Sequence, residues 1–236
     1  MNGSYPPAVF FDLDDTLIAH TESSQASWQQ VFDIFSAQFD GPARERTLAA
    51  ILEFSVWFWS DSLRHKRGRQ DLRSARREIV TGAFHGLKID DPPLSIRLAD
   101  AFSDRREAAI GLFPNVIQTL NCLRQQGLKL GLVTNGDSKG QRYKIDKFGL
   151  APFFDAIQIE EEVGMGKPEP GVYELALRTL QIGPSEAWMV GDNLVWDIEA
   201  AQQAGLHAVW ADYDRKGLPA DSLIHPDRTI HSLSEL

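Results

Sequence analysis

An α/β protein built on a doubly wound, mostly parallel sheet, with an all-α insert after its first strand, is the architecture this sequence predicts. Three observations predict it. Short apolar runs recur along the chain and each leads into polar or acidic residues, as buried strands of a parallel sheet do at their carboxyl ends. Helical patterns opened by proline or closed by glycine separate those runs. Between residues 17 and 106 the alternation stops and only helical periodicity is found, which marks a second domain.

The first run, residues 8–13 (AVFFDL), leads into Asp14, Asp15 and Thr16. Asp12, Asp14 and Asp15 crowd the end of a dry strand, where carboxylates repel one another unless water or a cation relieves them. The insert follows, with helical spacing around Trp28, Val31, Phe32 and Phe35, then over 48–58, 69–80 and 94–102. The chain returns through Gly111 to Pro114 and resumes its alternation. Runs at 128–133, 154–159, 187–190 and 208–210 read as strands. Patterns at 114–126, 138–148, 170–180 and 194–204 read as helices, three of them closed by Gly127, Gly149 and Gly205. Ligands of such sheets bind beyond the carboxyl ends of the strands, so the polar residues converge on one crevice and the insert is expected to cover it.

The composition excludes several classes. A net charge of -9 and a pI near 5.1 argue against a general nucleic-acid or anionic-membrane binder. Residues 17–106 carry 13 Lys+Arg and 12 Asp+Glu, while the remainder carries 11 and 21, so two regions of different character are expected. No apolar run approaches the roughly 18 residues of a membrane helix. The N-terminal Met-Asn-Gly-Ser-Tyr-Pro-Pro lacks the features of a secretory signal, and a cytoplasmic protein is expected. The single cysteine, Cys122, lies among Val116, Leu120 and Leu123 in a helical pattern and reads as a small core residue. Nothing in the composition bears on oligomeric state.

Four groups of residues carry chemistry. Asp12 and Asp14 end the first strand, Thr134 and Asn135 end the second, Lys167 lies in Gly-Met-Gly-Lys-Pro, and Asp192 with Asp197 follows the fourth run. Hard carboxylate oxygens suit magnesium, which keeps several waters of its own. A hydroxyl, an amide and a lysine supply donors and a fixed positive charge for an anion. A nucleophile, a charge neutraliser and a clamp for oxygens are what phosphoryl transfer needs.

These residues, in this order, resemble the four motifs of the haloacid dehalogenase superfamily: Asp12-Leu-Asp14-Asp-Thr16, Thr134-Asn135, Lys167-Pro168, and Gly191-Asp192 with Asp197. The resemblance implies a Rossmann-like catalytic core over residues 1–16 and 107–236 and a helical cap domain over 17–106. It implies that Asp12 attacks phosphorus and that Asp14 protonates the leaving oxygen, then activates water. Magnesium is expected on the Asp12 carboxylate, the Asp14 backbone carbonyl and Asp192, with Asp197 ordering its waters or Lys167. Thr134, Asn135 and Lys167 are expected to bind the substrate phosphate, with Asn135 also fixing the loop beside them.

The implied enzyme is a magnesium-dependent phosphatase of a small phosphorylated metabolite. Dehalogenating relatives generally lack the second acid, so Asp14 favours phosphate ester hydrolysis. A phosphomutase shares every core residue. A non-catalytic binding module is disfavoured because Asp12, Asp14, Lys167 and Asp192 are all present. Phosphonate hydrolysis by a cap lysine is left to Lys66 and Lys88.

Other features have plainer readings beside sharper ones. Asp15 and Asp137 read as turn and cap residues, and Glu160 to Glu162 as a solvated face. Residues 64–77 hold seven Lys+Arg, read as a solvated helix face pairing with Asp61, Asp71 and Glu78; the sharper reading is a grip on a substrate anion. Val56-Trp-Phe-Trp59 reads as insert core, and His20 lies close to the first motif.

Overall fold

A computed structural model of the chain describes residues 5–20 and 22–236. Residues 1–4, the start of the Met-Asn-Gly-Ser-Tyr-Pro-Pro segment expected to be no secretory signal, lie outside the described residues. The chain divides into two compact units, residues 1–19 with 112–236 and residues 20–111.

In the first unit the described residues form a six-stranded sheet. Its strands are β1 (Ala8–Phe11), β4 (Lys129–Thr134), β5 (Ala156–Ile159), β6 (Ala187–Gly191), β7 (His207–Ala211) and β8 (Arg228–Ile230), in the order β5-β4-β1-β6-β7-β8. All neighbouring pairs are parallel, with Phe11 opposite both Leu132 and Val190. The chain leaves β1 to one side for β4 and β5, then crosses back for β6 and β7. The strand order therefore reverses at β1, and the crevice of such a reversal opens at its carboxyl end.

Strands β1, β4, β6 and β7 are wholly or largely buried, as central strands of a parallel sheet covered on both faces require. Phe10, Met189, Ala208 and Trp210 meet Val172, Tyr173 and Leu177 of the helix Pro170–Leu180 in its core. Gly131 lets strands and rings close up, since a Cβ there would lie 2.3 Å from the Phe10 ring. The β8 strand has no counterpart in the predicted elements because Arg-Thr-Ile makes no apolar run.

The helices of this unit are α6 (Val116–Gln125), α7 (Ser138–Lys147), α8 (Glu160–Val163), α9 (Pro170–Leu180) and α10 (Ala200–Gln203). Cys122, expected in the core, is exposed. Val116, Leu120 and Leu123 share the buried face of α6, and Cys122 lies two residues past Leu120, about 200° round the helix. The helix expected over 194–204 opens instead as a wider π-helical segment, Leu194–Glu199, before α10. Such segments recur at functional sites.

The second unit is helical: α1 (Ser24–Ile34), α2 (Gly41–Trp59), α3 (Ser62–Gln70), α4 (Leu72–Gly86) and α5 (Pro92–Ala108). Each is started by a side chain, from Ser23, Asp40, Asp61, Asp71 and Asp91 in turn, that accepts a hydrogen bond from a first-turn backbone N–H. Its core is separate and aromatic, with the Trp28 and Phe102 rings stacked at 4.0 Å. Short strands β2 (Ile18–His20) and β3 (Ile110–Leu112) pair where the chain passes between the units.

Most basic residues of 64–77 are bound within this unit. Arg67 pairs with Glu78 at 2.7 Å, Arg73 with Asp104 at 2.5 Å and Arg77 with Asp100 at 2.8 Å. Asp71 instead caps α4 through Ser74 N–H at 2.9 Å. Val56-Trp-Phe-Trp59 splits: Phe58 is fully buried and Trp59 packs on the core, whereas Val56 and Trp57 are exposed. Among the described residues, no helix is long and apolar enough to cross a membrane.

Candidate active site

The carboxyl ends of β1, β4 and β6, with the loop before α9, bring Asp12, Thr134, Lys167 and Asp192 to one place. Asp12 extends β1 by donating its N–H to Val190 O at 2.9 Å, so its side chain emerges where pairing ends. Lys167 is buried, and its Nζ donates to Asp12 Oδ1 and Asp197 Oδ1, each at 2.6 Å. Asp197 reaches this point because Asn193 caps the π-helical segment, its Oδ1 accepting from Val195 N and Trp196 N. The second oxygen of Asp197 accepts from Asn193 N at 3.0 Å. Of the two supporting roles expected of Asp197, ordering Lys167 is the one these contacts describe.

Burial lowers the pKa of Lys167, but the carboxylates of Asp12 and Asp197 outweigh it and hold the ammonium well above its usual range. Burial pushes Asp12 up to about 7 despite Lys167, with Asp197 and Asp14 adding repulsion. Asp192 is pushed up to about 8 by burial and then by Asp12 and Asp197. Ligand oxygens of Asp12, Asp192 and Asp197 lie within 4.8 Å of one another. A single lysine therefore leaves excess negative charge on hard oxygen donors, the chemistry that a divalent cation relieves.

Thr16 also belongs to this cluster, a role its place in the sequence does not announce. Its buried hydroxyl accepts from Asp192 N at 3.1 Å and lies 3.5 Å from both Asp12 Oδ2 and Asp192 Oδ1. Trp210 donates its indole N–H to Asp192 O at 2.8 Å, which secures the peptide following β6. Asp15 adopts a left-handed backbone with φ of 57°, a conformation that aspartate tolerates better than most residues.

The amide of Asn135 grips the backbone of Lys167: Nδ2 donates to its carbonyl at 2.8 Å and Oδ1 accepts its N–H at 2.7 Å. Asn135 thus ties the Lys167 loop to the end of β4. Asp137 caps α7 through Gly140 N–H. The acidic run of α8 is not simply solvated: Glu160 is buried and accepts from Gly136 N at 3.0 Å, Glu161 accepts from Ser138 N, and Glu162 pairs with Arg142.

Asp14 is held from α7. Lys144 Nζ lies 2.6 Å and 2.8 Å from its two oxygens, and Gln141 Nε2 lies 2.9 Å from Oδ2. Neither residue was singled out in the sequence. A glutamine on the inner face of a helix beside Ile145 was the available signal, because buried amides are there to be bonded.

Residues 6–205 match the model of a family described as haloacid dehalogenase-like hydrolase. A phosphoserine phosphatase of Thermus thermophilus is 40% identical over 244 aligned positions, covering 97% of this chain and 96% of that relative. A glyceraldehyde 3-phosphate phosphatase of Methanopyrus kandleri is 31% identical, covering 86% of this chain and 82% of its own. Among solved structures, a 2-haloacid dehalogenase of Pseudomonas syringae aligns with a TM-score of 0.64 at 28% identity, covering 98% of this chain and 96% of that one.

Proposed function

The chain belongs to the haloacid dehalogenase-like hydrolases, and from that membership we propose that it is a magnesium-dependent phosphatase working through an aspartyl-phosphate on Asp12. The substrate is a small phosphomonoester, with O-phosphoserine first among those to test because a phosphoserine phosphatase is 40% identical over nearly the whole chain. The observation that carries phosphate ester over carbon–halogen hydrolysis is Asp14, a second acid two residues after the nucleophile.

Asp12 attacks phosphorus as the bond to the leaving oxygen breaks, and Asp14 gives that oxygen a proton. Asp14 then takes a proton from water as the water oxygen attacks phosphorus and the bond to Asp12 breaks, releasing inorganic phosphate. Lys167 and the Thr134 hydroxyl hold phosphoryl oxygens, and Asp197 with Asn135 keeps Lys167 in place. The donors fit magnesium: the Asp12 carboxylate, the Asp14 carbonyl and Asp192 would hold it. When bound it supplies positive charge against the phosphoryl oxygens. Residues 17–106 serve as the cap of this family and select the leaving group.

Hydrolysis of p-nitrophenyl phosphate and of a panel led by O-phosphoserine and glyceraldehyde 3-phosphate tests the proposal. Magnesium-dependent release of phosphate, lost in Asp12→Asn, is expected, with no turnover of 2-chloropropionate. Activity that survives EDTA or Asp12→Asn overturns the mechanism.

A further inference from the structure

Gln141 and Lys144 lie three residues apart on α7, a spacing that puts two side chains side by side on a helix. Both reach Asp14, from which they are separated by 127 and 130 residues. The same Gln141 nitrogen lies 2.6 Å from Thr134 Oγ1 and 2.9 Å from Asn135 O. Three acceptors around one nitrogen identify it as the NH2 end of the amide, with one of its two hydrogens shared.

This arrangement has a consequence at each end. Thr134 Oγ1 accepts from Gln141, so its own proton is left for another acceptor, with only a 3.4 Å contact to Asn135 O competing. At the other end, Lys144 Nζ reaches both oxygens of Asp14 and Gln141 Nε2 reaches Oδ2, so the carboxylate is held in one orientation from α7.

We infer that Gln141 and Lys144 are positioning residues of the reaction, setting from one turn of α7 both the proton-transferring carboxylate of Asp14 and the phosphoryl-binding hydroxyl of Thr134. The inference rests on the phosphatase reading above. It predicts a dependence on the leaving group. An alkoxide needs a proton as it departs, whereas p-nitrophenolate leaves without one, so misplacing Asp14 harms the first far more than the second.

The test compares kcat/KM, which reports the phosphorylation step, for p-nitrophenyl phosphate and for the alkyl phosphomonoester that the wild type turns over best. Lys144→Met is expected to lower the alkyl value by about 100-fold and the aryl value by less than about 10-fold, within the range of general acid catalysis. Lys144→Arg should restore part of the alkyl value. Gln141→Leu should lower both values, since it also releases Thr134, while keeping the larger loss on the alkyl ester. Placed in an Asp14→Asn background, Lys144→Met should add no more than about a twofold loss, because it acts through the group already removed. Equal losses on both esters, or full additivity with Asp14→Asn, would overturn the inference. If Lys144→Met fails to fold, Lys144→Gln is judged by the same ratio. A wild type inactive on both esters defeats the phosphatase reading itself, and so is distinguished from failure of the positioning role.

Discussion

Lys167 Nζ stands 2.6 Å from Asp12 Oδ1 with the two side chains 2% and 10% exposed. In so dry a place neither charge tolerates the loss of the other. Removing one member of a buried pair costs about 3–5 kcal/mol, most of it the penalty of the charge left behind. The contact at the proposed nucleophile is thus also part of what holds β1 to the loop before α9.

Lys167→Met is therefore expected to reduce the free energy of unfolding in urea by about 3 kcal/mol or more and to abolish measurable hydrolysis. Adding Asp197→Asn removes one stranded carboxylate, so the double variant should regain part of the stability and none of the activity. Recovery of hydrolysis in the double variant would reduce Lys167 to a counter-ion.

Gly191→Ala tests the close approach of β6 to the π-helical segment. A Cβ at Gly191 would fall 2.3 Å from Asp197 Cγ, pushing Asp197 away from Lys167. A loss of about 1–3 kcal/mol in unfolding free energy is expected for such crowding, together with slower hydrolysis. Gly86→Ala, where nothing lies within 4 Å, is the control and should be neutral or slightly stabilising.

Asp192→Asn should raise the magnesium concentration needed for half-maximal hydrolysis by at least about tenfold, since it removes an anionic oxygen donor. In EDTA above about pH 8, where the wild-type carboxylate is charged, the variant should unfold at a higher temperature than the wild type, because repulsion with Asp12 and Asp197 is relieved. A variant with unchanged magnesium dependence would remove Asp192 from the metal site.

Acid stability of the helical unit should depend on Glu22. Its carboxylate accepts from Arg105 Nε at 2.6 Å, Ser27 Oγ at 2.8 Å and Gln30 Nε2 at 3.0 Å. Arg105 leads these partners in lowering its pKa from 4.5 to about 2. Between those values the unfolded chain binds more protons than the folded one, so stability rises with pH there. The contribution is fully present above pH 4.5 and is lost as pH falls through about 2. Glu22→Gln should unfold at a lower temperature than the wild type at pH 7, and the difference should vanish near pH 2. A constant difference across that range would contradict the assignment.

Much of the fold was legible because its signals are local. The burial of a parallel strand makes its sequence continuously apolar, so β1, β4 and β6 are visible as runs, and proline and glycine mark helix ends wherever they lie. The helix over 170–180 is found as predicted. Cys122 shows the limit of reading neighbours, since it sits among core residues in sequence yet turns outward. The arginines of α4 show another: Arg73 and Arg77 find Asp104 and Asp100 on α5, partners chosen by helix packing rather than by nearness along the chain.

By itself the sequence determined the order of the chemical groups: acids ending the first strand, Thr134 the second, then Lys167, then Asp192 with Asp197. Each of these follows an apolar run or a turn signal that announces the end of an element. Tertiary structure alone decided which atom each group holds. Lys167 joins Asp12 to Asp197, Thr16 bridges to Asp192, Asn135 spends its amide on the Lys167 backbone, and Gln141 with Lys144 takes Asp14. The physical reason is range. Secondary structure is set by patterns a few residues long, whereas a buried carboxylate takes its partner from whatever the sheet order places beside it.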